Sequence, residues 1–110
     1  MEVKIETGEN LTKVAIVGRI DASCAVELKR TLDAQIARCP NVLCDLAEMT
    51  YVDSAGLIVL VGALKACRAA GGTCRLARLR PAPRIVFDIT KVTRAFEIYD
   101  TVEAAEKAFA

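Results

Sequence analysis

Along the chain, apolar residues recur first at every second position and then at every third or fourth, and the switching between these periods predicts the order of elements. Glu2, Lys4 and Glu6 alternate with Val3, Ile5 and Thr7, the period of a strand wet on one face, as at a sheet edge. Gly8-Glu9-Asn10 is turn chemistry, and the following stretch, Leu11 to Ile20, carries Val14-Ala15-Ile16-Val17 with apolar groups on both faces. That is an interior strand, and the two together predict an N-terminal hairpin. After Asp21, the residues Ala25, Leu28, Leu32, Ile36 and Cys39 recur at helical spacing, with Ser23 as the expected cap and Pro40 as the stop. Asn41 to Leu46 then reads as a short buried strand. A strand, a crossover helix and a strand make a parallel pair, so the sheet is mixed.

Ala47 to Asp53 reads as a loop. It leads into an apolar helix from Ser54 whose inward stripe is Leu57, Leu60, Val61 and Leu64, and Gly71-Gly72 stops it. Thr73 to Ala77 is another short strand. Arg75, Arg78, Arg80 and Arg84 crowd around Pro81 and Pro83, a loop entering a helix with proline at its start; the arginines are either solvated surface or an anionic contact. The segment 85–90 is β-branched, yet Ile85, Ile89, Val92 and Phe96 repeat at helical spacing, and the helix is preferred. Phe96 to Tyr99 is a last strand. Asp100 with Glu103 resembles a capping box opening a terminal helix through Phe109. The expected class is α/β: a mixed sheet of four to five strands with about four helices, in one domain over residues 1–110.

Composition narrows what such a domain does. The chain has 110 residues, 54% apolar and 26% charged, with 15 basic against 14 acidic side chains. A net charge of +1 gives no field that would select nucleic acid. The longest apolar stretch, Ala55 to Leu64, stops at Lys65, well short of the roughly 20 residues that span a bilayer. With no basic-then-apolar leader at its start, the chain is expected in the cytoplasm without direct membrane insertion. There is no histidine, which removes the commonest general base and metal nitrogen. The five cysteines, Cys24, Cys39, Cys44, Cys67 and Cys74, form no Cys-x-x-Cys pair and read as small buried residues. No phosphate-cradling glycine loop occurs. An enzyme built on a cysteine thiolate or on the Asp45 and Asp53 carboxylates would lack a placed base and oxyanion donors. Neither a catalytic site, a metal nor a cofactor is expected.

The chemical accent falls on Asp53-Ser54-Ala55-Gly56-Leu57, which puts a hydroxyl at the first turn of an apolar helix. Serine there serves as an N-cap in the plain reading. Turning about 100° per residue, however, the inward stripe leaves Ile58, Val59, Gly62, Ala63 and Ala66 on the flanks and back of the helix. Either the domain's own elements cover that surface or it is a docking patch beside Ser54.

The Asp-Ser-x-Gly-Leu turn, the preceding Val42 to Leu46 strand and the apolar helix after it resemble the STAS domain of bacterial anti-sigma factor antagonists. Gly18-Arg19-Ile20-Asp21 and Phe96 to Thr101 stand in the same family order, so the likeness covers nearly the whole chain. One departure is Lys91, where many members carry a glycine. The resemblance implies a non-enzymatic phospho-switch. The unmodified protein binds an anti-sigma factor of the serine-kinase type and frees the sigma factor, phosphorylation on Ser54 ends the contact, and a serine phosphatase resets it. It also implies a contact surface of Asp21, Asp53, Ser54, Ala55, Gly56, Leu57, Ile58, Val59 and Gly62. A side chain at Gly56 would obstruct the kinase or offend the backbone. The alternative is a STAS scaffold subunit of a stress-signalling assembly or lipid-transport complex without a phosphate cycle; a weak homodimer also stays open.

Overall fold

The computed structural model describes residues 1–109. β1 (Glu2–Thr7) and β2 (Thr12–Ile20) form the expected antiparallel hairpin, closed by a Gly8 N–H bond to the Leu11 carbonyl. Only Val3 of β1 is half-buried, and its other residues are exposed, as an edge strand requires. β2 has nine residues, enough to carry two parallel neighbours in succession along its other side. β3 (Val42–Asp45) pairs with Thr12 to Ala15, and β4 (Met49–Val52) pairs with Gly18 to Ile20. Between them β2 is irregular at Gly18, whose φ of 92° suits glycine and aims its N–H at the Glu48 carbonyl, 2.9 Å away.

β4 lies in the segment expected to be a loop. Only Met49 and Val52 point inward, with exposed Thr50 and Tyr51 between them, so four residues display neither period. Its strand character comes from the long-range ladder to β2. The main path of the sheet is β1-β2-β3-β5-β6, with β5 (Cys74–Ala77) and β6 (Ile98–Tyr99) joined in parallel and β4 paired to β2 off this path.

α1 (Ala25–Arg38) and α2 (Ser54–Ala69) cover one face. Leu28, Leu32, Leu57, Leu60 and Leu64 close over Val14, Ile16 and Ile20, all essentially without solvent contact. Each aliphatic side chain so buried contributes about 1.5–3 kcal/mol before the entropy of ordering it is subtracted. In α2 the fourth inward position is Ala63 rather than Val61, which is half-buried. Ser23 does not cap α1. The cap position is Cys24, without a side-chain bond, while the Ser23 hydroxyl and N–H both donate to the Asp21 carboxylate, at 2.5 and 3.0 Å. A charged acceptor two residues upstream outcompetes the helix end for that serine.

α3 (Pro81–Ile89) is helical as expected, but rotated: Pro83 and Phe87 are buried, and Ile85 and Ile89 face solvent. A single 3₁₀ turn, Val92–Arg94, follows Lys91, whose φ of 61° is left-handed. A backbone conformation that favours glycine is therefore held here by a lysine. α4 (Val102–Lys107) covers the opposite face, Ala105 packing with Leu43 and Ala77. Its cap is Thr101 rather than Asp100, because Thr101 is the extended residue whose oxygen reaches the Ala104 N–H at 3.1 Å. All five cysteines are buried. Hydrogen bonds with Cys44 and Cys67, and then burial itself, push the Cys74 thiol up, so it stays protonated and inert.

Candidate functional site

The end of β2 and the start of α2 meet where the Asp53 N–H donates to the Ile20 carbonyl at 3.2 Å. Asp53 is the N-cap of α2, its carboxylate accepting from the Gly56 N–H at 3.1 Å. That one bond reassigns the capping role from Ser54 to Asp53 and leaves Ser54 as the first helical residue. Ser54 is exposed, and among the described residues its hydroxyl takes no hydrogen bond. The hydroxyl is open to a reactant at the N-terminus of the helix.

Asp21, on the neighbouring strand end, is turned toward Ser23. The Ser23 hydroxyl, then its N–H, hold the Asp21 carboxyl below the usual carboxylate range, so it is ionised at neutral pH. Asp53 precedes Ser54 in the chain, and Asp21 follows Ile20, whose carbonyl accepts the Asp53 N–H. Ala55 and Val59 are half-buried, and Gly62 is exposed on the same helix. Ile58 is 71% exposed, a branched apolar side chain standing in water one turn from Ser54.

Two of the expected contact residues are not on the surface. Gly56 is buried, and a Cβ there would lie 2.8 Å from a Val52 methyl and 3.0 Å from an Ile20 methyl. The glycine is required for close approach of α2 to β2 and β4, a reason of packing rather than of kinase access. Leu57 is only 3% exposed and forms the floor of a groove. That groove, about 400 Å³, runs from Ser54 between α2 and the end of α3, with Ile58, Val61 and Lys65 on one wall and Thr90 and Val92 on the other. A smaller concavity of about 230 Å³ on the other side of α2 shares Ile58 and Gly62 and reaches Leu32 and Ala66. α2 is therefore an apolar ridge with a recess on each flank.

Several residues of this surface escape a reading of the sequence. Ile89, 75% exposed, and Ile85 look like core positions until Phe87 is seen to take the interior. Tyr51 stands on the unforeseen β4, paired with Arg19 of β2, whose guanidinium lies 3.9 Å from the ring centroid. The Thr50-Tyr51-Val52 run is β-rich, which is the one signal that could have found it.

A larger concavity, about 710 Å³, lies on the α4 side of the sheet. Several of its ions are paired with one another: Lys13 bridges Glu6 and Glu106, and Arg78 grips Asp45. Of the crowded arginines, Arg75 is set apart by its pair with Glu97, while Arg78, Arg80 and Arg84 line one recess of about 170 Å³ beside Tyr99 and Asp100. Among the described residues no cluster of His, Cys, Asp or Glu is placed to hold a metal ion, and no helix is long and apolar enough to cross a membrane.

With this geometry in view, residues 2–105 match the family model of the STAS domain. The anti-sigma-B factor antagonist of Listeria monocytogenes is 34% identical over 102 residues, covering 89% of this chain and 90% of that protein. The anti-sigma-B factor antagonist of Bacillus subtilis is 31% identical over 98 residues, with the same coverage. Among solved structures, unphosphorylated SpoIIAA of Bacillus superposes with a TM-score of 0.82 at 15% identity, over 97% of this chain and 96% of that one. At that identity the superposition bears on the fold.

Proposed function

Because the chain belongs to the STAS domain family, we propose that it is an anti-sigma factor antagonist that docks through Ser54 and the α2 ridge, and that phosphorylation of Ser54 ends the docking. The observation that carries this reading is an exposed hydroxyl at the start of α2, set at the mouth of an apolar groove. An exposed apolar recess invites a partner, and a modifiable oxygen at its rim gives that partner a way to be dismissed.

The anti-sigma factor in this reading carries serine-kinase activity. The γ-phosphorus of ATP forms an ester bond to Ser54 Oγ as its bond to the β-phosphate oxygen breaks; the hydroxyl proton leaves and ADP departs. A serine phosphatase restores the hydroxyl with water. The phosphate brings about −1.5 to −2 charges to the N-terminus of a 16-residue helix, where free N–H groups and the dipole favour an anion by roughly 0.3–1 kcal/mol. Folding therefore changes little. In the complex the same charge, with the capping Asp53 next to it in the chain, must be stripped of water against an apolar face, which costs several kcal/mol unless the partner supplies a cation. Binding is where the modification acts.

Incubation with the cognate anti-sigma factor and ATP, followed by mass mapping of the peptides, tests the assignment. Phosphate on the peptide containing Ser54 is expected. Phosphate confined to another residue, or none at all, would defeat it.

A further inference from the structure

An exposed serine and an apolar groove leave one ordered feature of the same end of the sheet without a use. Arg19 and Tyr51 face each other across the β2–β4 ladder, with the guanidinium carbon 3.9 Å from the ring centroid. The pair sits next to the docking surface: the Ile20 carbonyl, one residue on from Arg19, accepts the N–H of Asp53, the cap of the Ser54 helix. Tyr51 is 38% exposed and the Arg19 side chain 64%.

The guanidinium is stacked on the ring but hydrogen-bonded to no carboxylate. Its nearest carboxylate oxygen is Asp21 Oδ2, 3.9 Å from Nε, the far limit of an ion pair and too long for a hydrogen bond, while Asp21 Oδ1 accepts both bonds from Ser23. Stacking on the ring restrains the plane of the guanidinium, and the side chain stays 64% exposed. A free surface arginine must lose rotamer freedom when a partner takes it, whereas this one has lost much of it beforehand. Arginine and tyrosine are also the residue types that most often anchor protein interfaces.

We propose that the Arg19–Tyr51 pair is a second anchor for the anti-sigma factor, with Arg19 taking a partner carboxylate through two parallel N–H bonds and Tyr51 giving an apolar footing beside it. The proposal rests on the Ser54 reading above and adds the partner's chemistry: an acidic side chain next to an apolar one, placed to the β4 side of the phosphorylation site. It makes Arg19 a specificity determinant, because a kinase with a basic residue at that contact is repelled and one with an acidic residue is held.

The test measures KM and kcat for phosphoryl transfer from saturating ATP to Ser54 of the full chain, with the cognate anti-sigma factor as enzyme. Arg19→Glu is expected to raise KM about tenfold or more with kcat little changed, Arg19→Gln and Tyr51→Ala to raise it by a smaller factor, and Tyr51→Phe to leave it unaltered. Arg68→Glu, an equal change of net charge in the last turn of α2 and roughly 20 Å along the helix from Ser54, controls for overall charge and should stay within about twofold of the parent. Circular dichroism melting of each variant checks the fold, and Arg19→Gln, which keeps the stem on the ring, carries the test if Arg19→Glu melts early. A KM for Arg19→Glu and Arg19→Gln within about twofold of the parent, or one that falls, overturns the anchor while leaving the Ser54 switch in place. A parent chain that is not phosphorylated on Ser54 overturns both.

Discussion

At the scale of single residues, the site depends on how tightly α2 is drawn onto the ends of β2 and β4. Gly56 makes that approach, since a methyl group there would meet two side-chain methyls at 2.8 and 3.0 Å and the Ile20 carbonyl at 3.2 Å. Gly56→Ala should therefore destabilise the fold by about 1–3 kcal/mol, seen as a melting temperature lower by about 4 °C or more. An unchanged melting temperature would return the glycine to a role in kinase access. Much at this scale was legible in the chain. Asp53-Ser54 before an apolar run announces a helix start, and the family resemblance singles out Ser54. Which of the two caps was not legible, because both are good N-caps and only the hydrogen bond from Gly56 decides for Asp53. Lys91 is the converse: a lysine gives no hint of its left-handed backbone.

At the scale of elements, α2 has two duties that pull on the same residues. Its inner stripe builds the core, and its outer side, Ile58 with Gly62, stays apolar in water between two recesses. Gly62 exposes the difference, because a Cβ there would meet nothing within 4 Å. Gly62→Ala should stabilise α2 by about 0.5–1 kcal/mol, raising the melting temperature by a few degrees. If a partner packs closely on the ridge, the same substitution should weaken its binding about tenfold in calorimetry, and a variant that gains stability without losing affinity would move the contact elsewhere. The long elements were legible because α1, α2 and β2 each show their period over nine residues or more. β4 was not, since four residues are too few to show a period and its partner lies about thirty positions upstream. The rotation of α3 was missed for a related reason: Ile85, Ile89 and Val92 form an apolar stripe as regular as any core stripe, and nothing local says that Phe87 is the residue taken inside.

At the scale of the whole molecule, the sheet separates two chemistries. The Ser54 end and the α2 ridge are apolar, whereas the α4 side is held by ions. Lys13 ties the edge strand through Glu6 to α4 through Glu106, and the hydrogen bonds to Glu106 and then Glu6 raise its pKa above that of a free lysine. A group whose folded pKa is raised gives its stabilisation in full below the unfolded value, about 10.4, and loses it as pH rises through the folded one. The melting temperatures of the parent and Lys13→Ala should thus differ by a constant amount from pH 7 to about 9.5 and converge above about pH 10.5; a gap that widens with alkali would contradict the bridge. The α/β class, the hairpin and the parallel crossovers were readable from the sequence, and the charged bridge across the sheet was not, since Lys13 and Glu106 lie at opposite ends of the chain. The central claim is that Ser54 phosphorylation dismisses the partner while the fold stays intact. Titrating the anti-sigma factor calorimetrically into the unmodified chain and into the stoichiometrically Ser54-phosphorylated chain measures this directly, with Ser54→Ala and Ser54→Asp alongside. The expected result is a Kd at least about tenfold higher for the phosphorylated form, equivalent to about 1.4 kcal/mol, with Ser54→Ala binding like the unmodified chain and Ser54→Asp more weakly. Equal Kd values for the phosphorylated and unmodified chains would contradict the account.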